Sequence, residues 1–232
     1  MNGTAAASFA ISMLLIMGAA DAHQPRLVMD ENPTRESPVV VTDPTISKAY
    51  YGEMGGSSEY YKIVSDSDFV LYLNLLVPDY HPFNKRVFSA DVRDSNGSLV
   101  TMLDGSNSTW RKFHEDFGND DYLMGPEKRM DMPAGEYEVR VFNHDNEGRY
   151  SLVVGEAEYF PPGEISNAAL LVPQIKQRFF GSSPLESVFN FSGALLVAGI
   201  LAGAGVVLIF RKSLHRKKTR TSKRKKKRRI LS

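Results

Sequence analysis

The 232-residue chain has no cysteine. That absence excludes disulfides, thiolate metal sites, iron–sulfur clusters and a cysteine nucleophile. The chain also lacks a G-x-S-x-G elbow, an H-E-x-x-H helix and a Walker loop, so the commonest hydrolase, zincin and nucleotide-binding machinery is missing. There is no acid beyond residue 190 and no charge anywhere between residues 188 and 210. What is present is ordinary in bulk: 28 Lys+Arg, 27 Asp+Glu and 42% hydrophobic residues, which rules out a wholly disordered or fibrous chain. The net charge of +1 conceals a segregation, because 13 Lys and Arg fall between Arg211 and Ser232. Residues 23–190 carry 26 acids against 15 bases. An acidic body and a basic tail suggest two compartments. A small sandwich without a disulfide suits a prokaryotic envelope better than an animal cell surface.

Two apolar runs predict the topology. Residues 10–20, AISMLLIMGAA, are followed by Ala20-Asp21-Ala22 and then by polar His23-Gln24-Pro25-Arg26. This reads as a signal peptide over residues 1–22, cut before His23, although its first nine residues carry no Lys or Arg. The other reading is a buried N-terminal helix. Residues 188–210, VFNFSGALLVAGILAGAGVVLIF, are long enough at about 1.5 Å per residue to cross a ~30 Å hydrocarbon layer. Arg211 and Lys212 follow at once, and such flanks stay cytoplasmic. The expectation is a type I single-pass protein of the plasma membrane, with residues 23–187 outside and the tail, 211–232, inside.

Within the span, Gly199 and Gly203 form a GxxxG pair flanked by Ala194, Ala198 and Ala202. Small residues on one face allow close helix approach, hence a homodimer, though Gly and Ala are common in membrane helices anyway. In the tail, Arg211, Lys212, Arg216, Lys217, Lys218, Lys223, Arg224, Lys225, Lys226, Lys227, Arg228 and Arg229 are placed to meet anionic headgroups, at roughly 1 kcal/mol each. No aromatic residue interleaves with them, so the stacking platform of a nucleic-acid binder is missing.

The body reads as an antiparallel β-sandwich, jelly-roll-like, over residues 47–156, after an extended lead-in over residues 23–46. Strand-like runs cover 47–54, 59–64, 69–77, 86–93 and 99–103, separated by turn signals such as Asp94-Ser95-Asn96-Gly97. Phe69, Leu71, Leu73, Leu75 and Val77 alternate cleanly, as do Tyr137, Val139 and Val141 against Glu136, Glu138 and Arg140, and then Tyr150, Leu152 and Val154. Period-2 runs at roughly 8–12-residue spacing argue sheets with one buried and one wet face.

Residues 133–156, PAGEYEVRVFNHDNEGRYSLVVGE, resemble the last hairpin of bacterial pre-peptidase C-terminal-like sandwiches, and residues 46–79 resemble their opening strands. Signal peptide, sandwich, amphipathic connector and single span together are similar to a set of uncharacterised prokaryotic membrane proteins, over residues 23–210. The resemblance implies a non-catalytic extracytoplasmic accessory domain and carries over no catalytic residue. It does not account for the long basic tail.

Residues 157–187 form a connector with Ile165, Ala168, Ala169, Val172, Ile175 and Phe179 at helical spacing and Glu164, Gln174, Lys176 and Gln177 as polar positions. Pro173 predicts a kink or break. The stripe fits either a helix lying in the membrane interface or one packed on the sandwich.

Site chemistry is sparse. Were His23 the mature terminus, its amine and imidazole could chelate copper, with His81, His114 or His144 completing the set. The run His114–Asp121 could offer oxygens to calcium, though without the alternate-carboxylate spacing of a calcium loop. Asn96-Gly97-Ser98 and Asn107-Ser108-Thr109 fit the glycosylation sequon, placing Asn96 and Asn107 on predicted surface turns. Trp110, Tyr122 and the Tyr50/Tyr51 and Tyr60/Tyr61 pairs could stack on sugars or simply pack. The reading is a membrane-anchored, non-enzymatic β-sandwich for binding, adhesion or an accessory-subunit role, with no cofactor and with an extracytoplasmic protein or glycan as partner. The alternative is a copper-handling ectodomain built on His23, and a third is a receptor whose tail docks a cytoplasmic partner.

Overall fold

The computed structural model describes residues 23–79, 87–115 and 118–185. The elements in chain order are β1 (Gln24–Leu27), β2 (Val39–Val41), β3 (Lys48–Gly55), β4 (Glu59–Ser65), β5 (Phe69–Pro78), β6 (Ser89–Asp94), β7 (Leu99–Leu103), β8 (Arg111–Glu115), β9 (Asp120–Met132), β10 (Gly135–Phe142), β11 (Glu147–Val154) and one helix, α1 (Pro162–Arg178). They form a β-sandwich. One sheet has six strands in the order β1-β3-β11-β5-β9-β8, and the other has five in the order β2-β4-β10-β6-β7. The late strands β11 and β10 insert between early ones, the interleaving that nested Greek-key connections produce and the order expected of a jelly-roll-like sandwich.

The alternating runs become the shared core. Tyr50, Tyr61, Ile63, Leu71, Leu73, Leu75, Phe88, Val92, Val139, Val141, Tyr150 and Leu152 are buried together between the sheets. Their neighbours in sequence point outward, as period 2 requires. The pairing is antiparallel throughout the body, but the lead-in departs from the expected all-antiparallel pattern. β1 pairs parallel with β3, and β2 pairs parallel with β4. The chain visits the opposite sheet between each pair, a crossover that parallel neighbours need.

β5 shows why one sheet is not wet on its far side. From Leu73 onward both faces of the strand are buried, because Leu76 belongs to a second cluster with Met29, Ala49, Tyr122, Val153, Ile175 and Phe179. That cluster lies under α1. The helix begins with Pro162 as one of its first residues, where a missing N–H costs nothing. Glu164 in the first turn and Arg178 in the last suit the helix dipole. The helix runs through Pro173 without ending. Packing of Ala168 on one side of the proline and of Ile175 and Phe179 on the other holds it to the sheet. Of the two fates open to the connector, the structure selects the packed one. Ile165, expected on the buried stripe, is exposed, whereas Lys176, expected on the polar side, is buried.

At the end of β11, Gly155 adopts φ +80, and a Cβ there would come within 2.5 Å of the Ile46 carbonyl oxygen. The close pass lets Ala157 bridge to Ile46 before the chain leaves for α1. Among the described residues no helix is long and apolar enough to cross a membrane. His81, the stretch 188–210 with Gly199 and Gly203, and the basic tail lie outside the described residues.

Candidate functional site

Two outer faces flank the sandwich, and α1 covers one of them. The outer face of the five-stranded sheet has no such cover among the described residues. Register places its side chains. Glu138 lies between Lys62 on β4 and Arg93 on β6, and Arg140 lies between Tyr60 and Asp91. Lys62 Nζ stands 2.8 Å from Glu136 Oε2, and Arg35, from the lead-in, donates to Glu138 Oε1 at 2.9 Å. The Arg35 guanidinium lies over the Tyr60 ring at 5.2 Å, and that of Arg140 lies over Phe142 at 4.5 Å. Between them runs an open groove of about 460 Å³ lined by Arg35, Lys62, Arg93, Glu136, Glu138 and Arg140.

The floor of this face is the Asp91–Arg140 pair. Asp91 is 3% exposed. Its Oδ2 accepts from Arg140 Nε at 3.1 Å and also from Nη2. Its Oδ1 makes no hydrogen bond, and the Arg93 Nε stands off at 3.6 Å. A carboxylate this buried holds Arg140 in place, whereas the rim pairs are solvent-screened and individually worth about 0–1 kcal/mol. The face therefore presents guanidinium forks and carboxylates in alternation, with Tyr60 at its edge. Such a surface matches a partner carrying both hydrogen-bond donors and acceptors.

Beneath α1 a second polar cluster is sealed from water. Lys176, 2% exposed, donates to Asp120 Oδ1 at 2.5 Å and to the Asn119 carbonyl at 3.1 Å. The Tyr51 and Tyr122 hydroxyls meet at 3.1 Å, and burial pushes both phenols well above their usual range. A void of about 30 Å³, room for about one water, is lined here by His23, Tyr51, Glu115, Asp120 and Tyr122, among others.

A third cluster crosses the core. Tyr150 donates to Glu59 Oε2 at 2.5 Å, which leaves Tyr61 to donate to Tyr150 at 2.7 Å. Burial pushes the Glu59 carboxyl up to about 7, against the Tyr150 hydrogen bond that favours its charged form. Gly52 makes the chain possible, since a Cβ there would sit 2.7 Å from the Tyr150 ring and 2.8 Å from Glu59 Oε2.

The residues singled out from sequence scatter over this frame. His23 Nδ1 lies 2.5 Å from Ser47 Oγ, His114 Nδ1 lies 2.8 Å from Asp121 Oδ1, and His144 sits exposed in the β10–β11 turn against Asp145. Among the described residues no three His, Asp or Glu side chains group as a metal site. The acidic run His114–Asp121 is divided: Asp120 turns inward to Lys176, and Asp121 faces out to His114. Of the aromatic candidates, Tyr50, Tyr61 and Tyr122 are buried, and Trp110 is held by an Nε1 hydrogen bond to the Gly105 carbonyl at 3.0 Å. Tyr60 faces the open groove side. Asn96 and Asn107 are both exposed, in the turns at either end of β7. The outward set Glu136, Glu138 and Arg140 follows from alternation alone. Asp91, Arg35 and Lys176 carried no local signal that set them apart from other charged positions.

No family model and no curated protein matches the chain. Among solved structures it is similar to the pre-peptidase C-terminal domain of collagenase from Bacillus anthracis, at 9% identity and a TM-score of 0.31, covering 57% of this chain and 95% of that one. It is also similar to a β-glucosidase from Paenibacillus barengoltzii, at 13% identity and a TM-score of 0.26, covering 57% of this chain and 13% of that one. Likenesses this distant say nothing of function.

Proposed function

We propose that this chain is a type I single-pass membrane protein whose extracytoplasmic β-sandwich binds a protein or glycan, without catalysis, through the outer face of its five-stranded sheet. One observation carries the binding part. α1 and its ion pairs occupy the far side of the six-stranded sheet, while the opposite face keeps a groove of about 460 Å³ in which the buried Asp91 carboxylate holds the half-exposed Arg140. The membrane part is supported by the chargeless stretch 188–210 set directly against 13 cations. The lipid surface and anionic headgroups are then the partners of the tail.

A photo-crosslinking residue in place of Lys62, in the full chain in its own membrane, tests the face. A discrete adduct is expected there, and none from the same residue in place of Leu170 on α1. Equal labelling from both positions, or none from Lys62, removes the reading. Protease added to intact cells should digest the sandwich and spare the basic tail. The reverse pattern would invert the topology.

A further inference from the structure

A helix on the surface of a globular body ordinarily sets its charged side chains toward water. α1 does the reverse. Its three charged residues each bond to the body: Glu164 to Arg26 at 2.9 Å, Lys176 to Asp120 at 2.5 Å and Arg178 to Asp30 at 2.6 Å. The exposed positions of the helix carry no charge, and Ile165, Leu170, Gln174 and Gln177 are among them. This face belongs to a body in which residues 23–190 hold 26 acids and 15 bases, so its lack of charge is not a matter of general composition. Leu170 is 70% exposed and Ile165 41%. Two further exposed apolar side chains flank the helix in sequence, Tyr159 before it and Leu185 after it.

We propose that the outer face of α1 rests on the lipid surface of the membrane that anchors the chain. The inference rests on the type I reading, and the length of chain names the occupant. Three residues lead from Leu185 to position 188, where the chargeless stretch begins, a reach of at most about 11 Å. The headgroup layer is itself about 5–7 Å deep on each side of the hydrocarbon. A body tethered that closely needs only a weak contact, because the tether makes the binding intramolecular. Leu170 and Ile165 supply the apolar part, Gln174 and Gln177 suit the headgroups, and Tyr159 beside the exposed Glu158 fits the wet margin. No charge on the helix face has to be desolvated. Since α1 lies on the six-stranded sheet, the contact leaves the groove of the other sheet turned away from the lipid.

The chain has no cysteine, so single labels can be placed without ambiguity. Leu170→Cys, Gln174→Cys and, on the opposite face, Lys62→Cys each carry a fluorophore in the full chain, reconstituted in phosphatidylcholine nanodiscs whose headgroups bear a nitroxide quencher. Loss of most of the fluorescence is expected at positions 170 and 174, and none at 62. The Ile165→Glu/Leu170→Glu variant, altered at two exposed positions, should abolish the quenching at 174 and leave thermal unfolding in detergent unchanged. Equal quenching at all three positions, none at 170 and 174, or quenching at 174 that survives the glutamate pair overturns the proposal while the chain stays in the nanodisc. A chain that does not enter nanodiscs removes the type I reading and the proposal with it.

Discussion

Lys176 Nζ stands 2.5 Å from Asp120 Oδ1, and this pair joins the last turn of the packed helix to the start of a strand 56 positions earlier. Both side chains are at most 10% exposed. The contact is one of several that clamp α1. Arg26 makes a two-pronged bond to Glu164 at 2.9 Å, Arg178 donates to Asp30 at 2.6 Å, and Arg149 donates to the Phe179 carbonyl at 3.2 Å. The exposed clamps contribute little each. The buried one is different, since neither charge can return to water while the helix stays docked.

Lys176→Ala should therefore destabilise the fold by about 3–5 kcal/mol, the usual cost of breaking a buried ion pair by removing one side. Replacing both partners, as Lys176→Met with Asp120→Leu, should recover most of that loss. Urea unfolding of the full chain followed by tryptophan fluorescence reads both. A single variant within 1 kcal/mol of the wild type would mean that water already reaches the pair.

The Glu59 carboxyl gives a pH dependence of definite sign. Its value rises from the ordinary 4.5 to about 7 because burial disfavours the ionised form. The folded state thus binds its proton more tightly than the unfolded state does. The contribution to stability is full below about pH 4.5 and is lost as pH rises to about 7, on the order of 3 kcal/mol in all. Glu59→Gln keeps an acceptor for Tyr150 and should flatten the profile over that interval. Unfolding midpoints at pH 5 and pH 7.5 measure the difference, and an unchanged slope in the variant would assign the effect elsewhere.

Arg140→Ala should cost about 2–4 kcal/mol by leaving Asp91 charged in a nearly dry site. Combining it with Asp91→Asn should restore part of the loss. Arg35→Ala and Lys62→Ala remove only screened rim pairs and should stay within ~0.5 kcal/mol. Those two variants therefore separate binding from folding, and thermal unfolding scans establish which of the four changes are structural.

Gly52→Ala should destabilise by about 1–3 kcal/mol. The added methyl meets the Tyr150 ring and Glu59 Oε2 at under 3.0 Å, so either the carboxyl–phenol chain parts or β3 shifts against β11. Loss of the pH dependence assigned to Glu59 would accompany a parted chain, and its persistence would point to a strand shift.

How legible was this molecule in its sequence? The runs that became β3, β5, β10 and β11 were visible because each alternates apolar and polar side chains over a buried and a wet face. β8 and β9 were not. β8 is a charged edge with little buried side chain, and β9 opens with Asp120-Asp121 and contains Gly125-Pro126. These residues read as a loop, yet Pro126 sits where the β5–β9 register shifts and its missing N–H removes no regular ladder bond. The open groove was half legible. Alternation assigned Glu136, Glu138 and Arg140 to the outside, but Arg35 arrives from the lead-in and Asp91 from another strand, and no local pattern couples such distant positions.

The amino-acid order on its own determined which residues of each strand turn inward, and it set a chargeless stretch against a block of cations, because periodicity and charge are properties of neighbours along the chain. Only the tertiary structure decided that the lead-in supplies two parallel edge strands, that α1 lies on the six-stranded sheet with Lys176 inside, and that β7 ends the five-stranded sheet. Each of those outcomes depends on which distant segments come to share a face, and the competition for buried surface that selects them is settled across the whole fold at once.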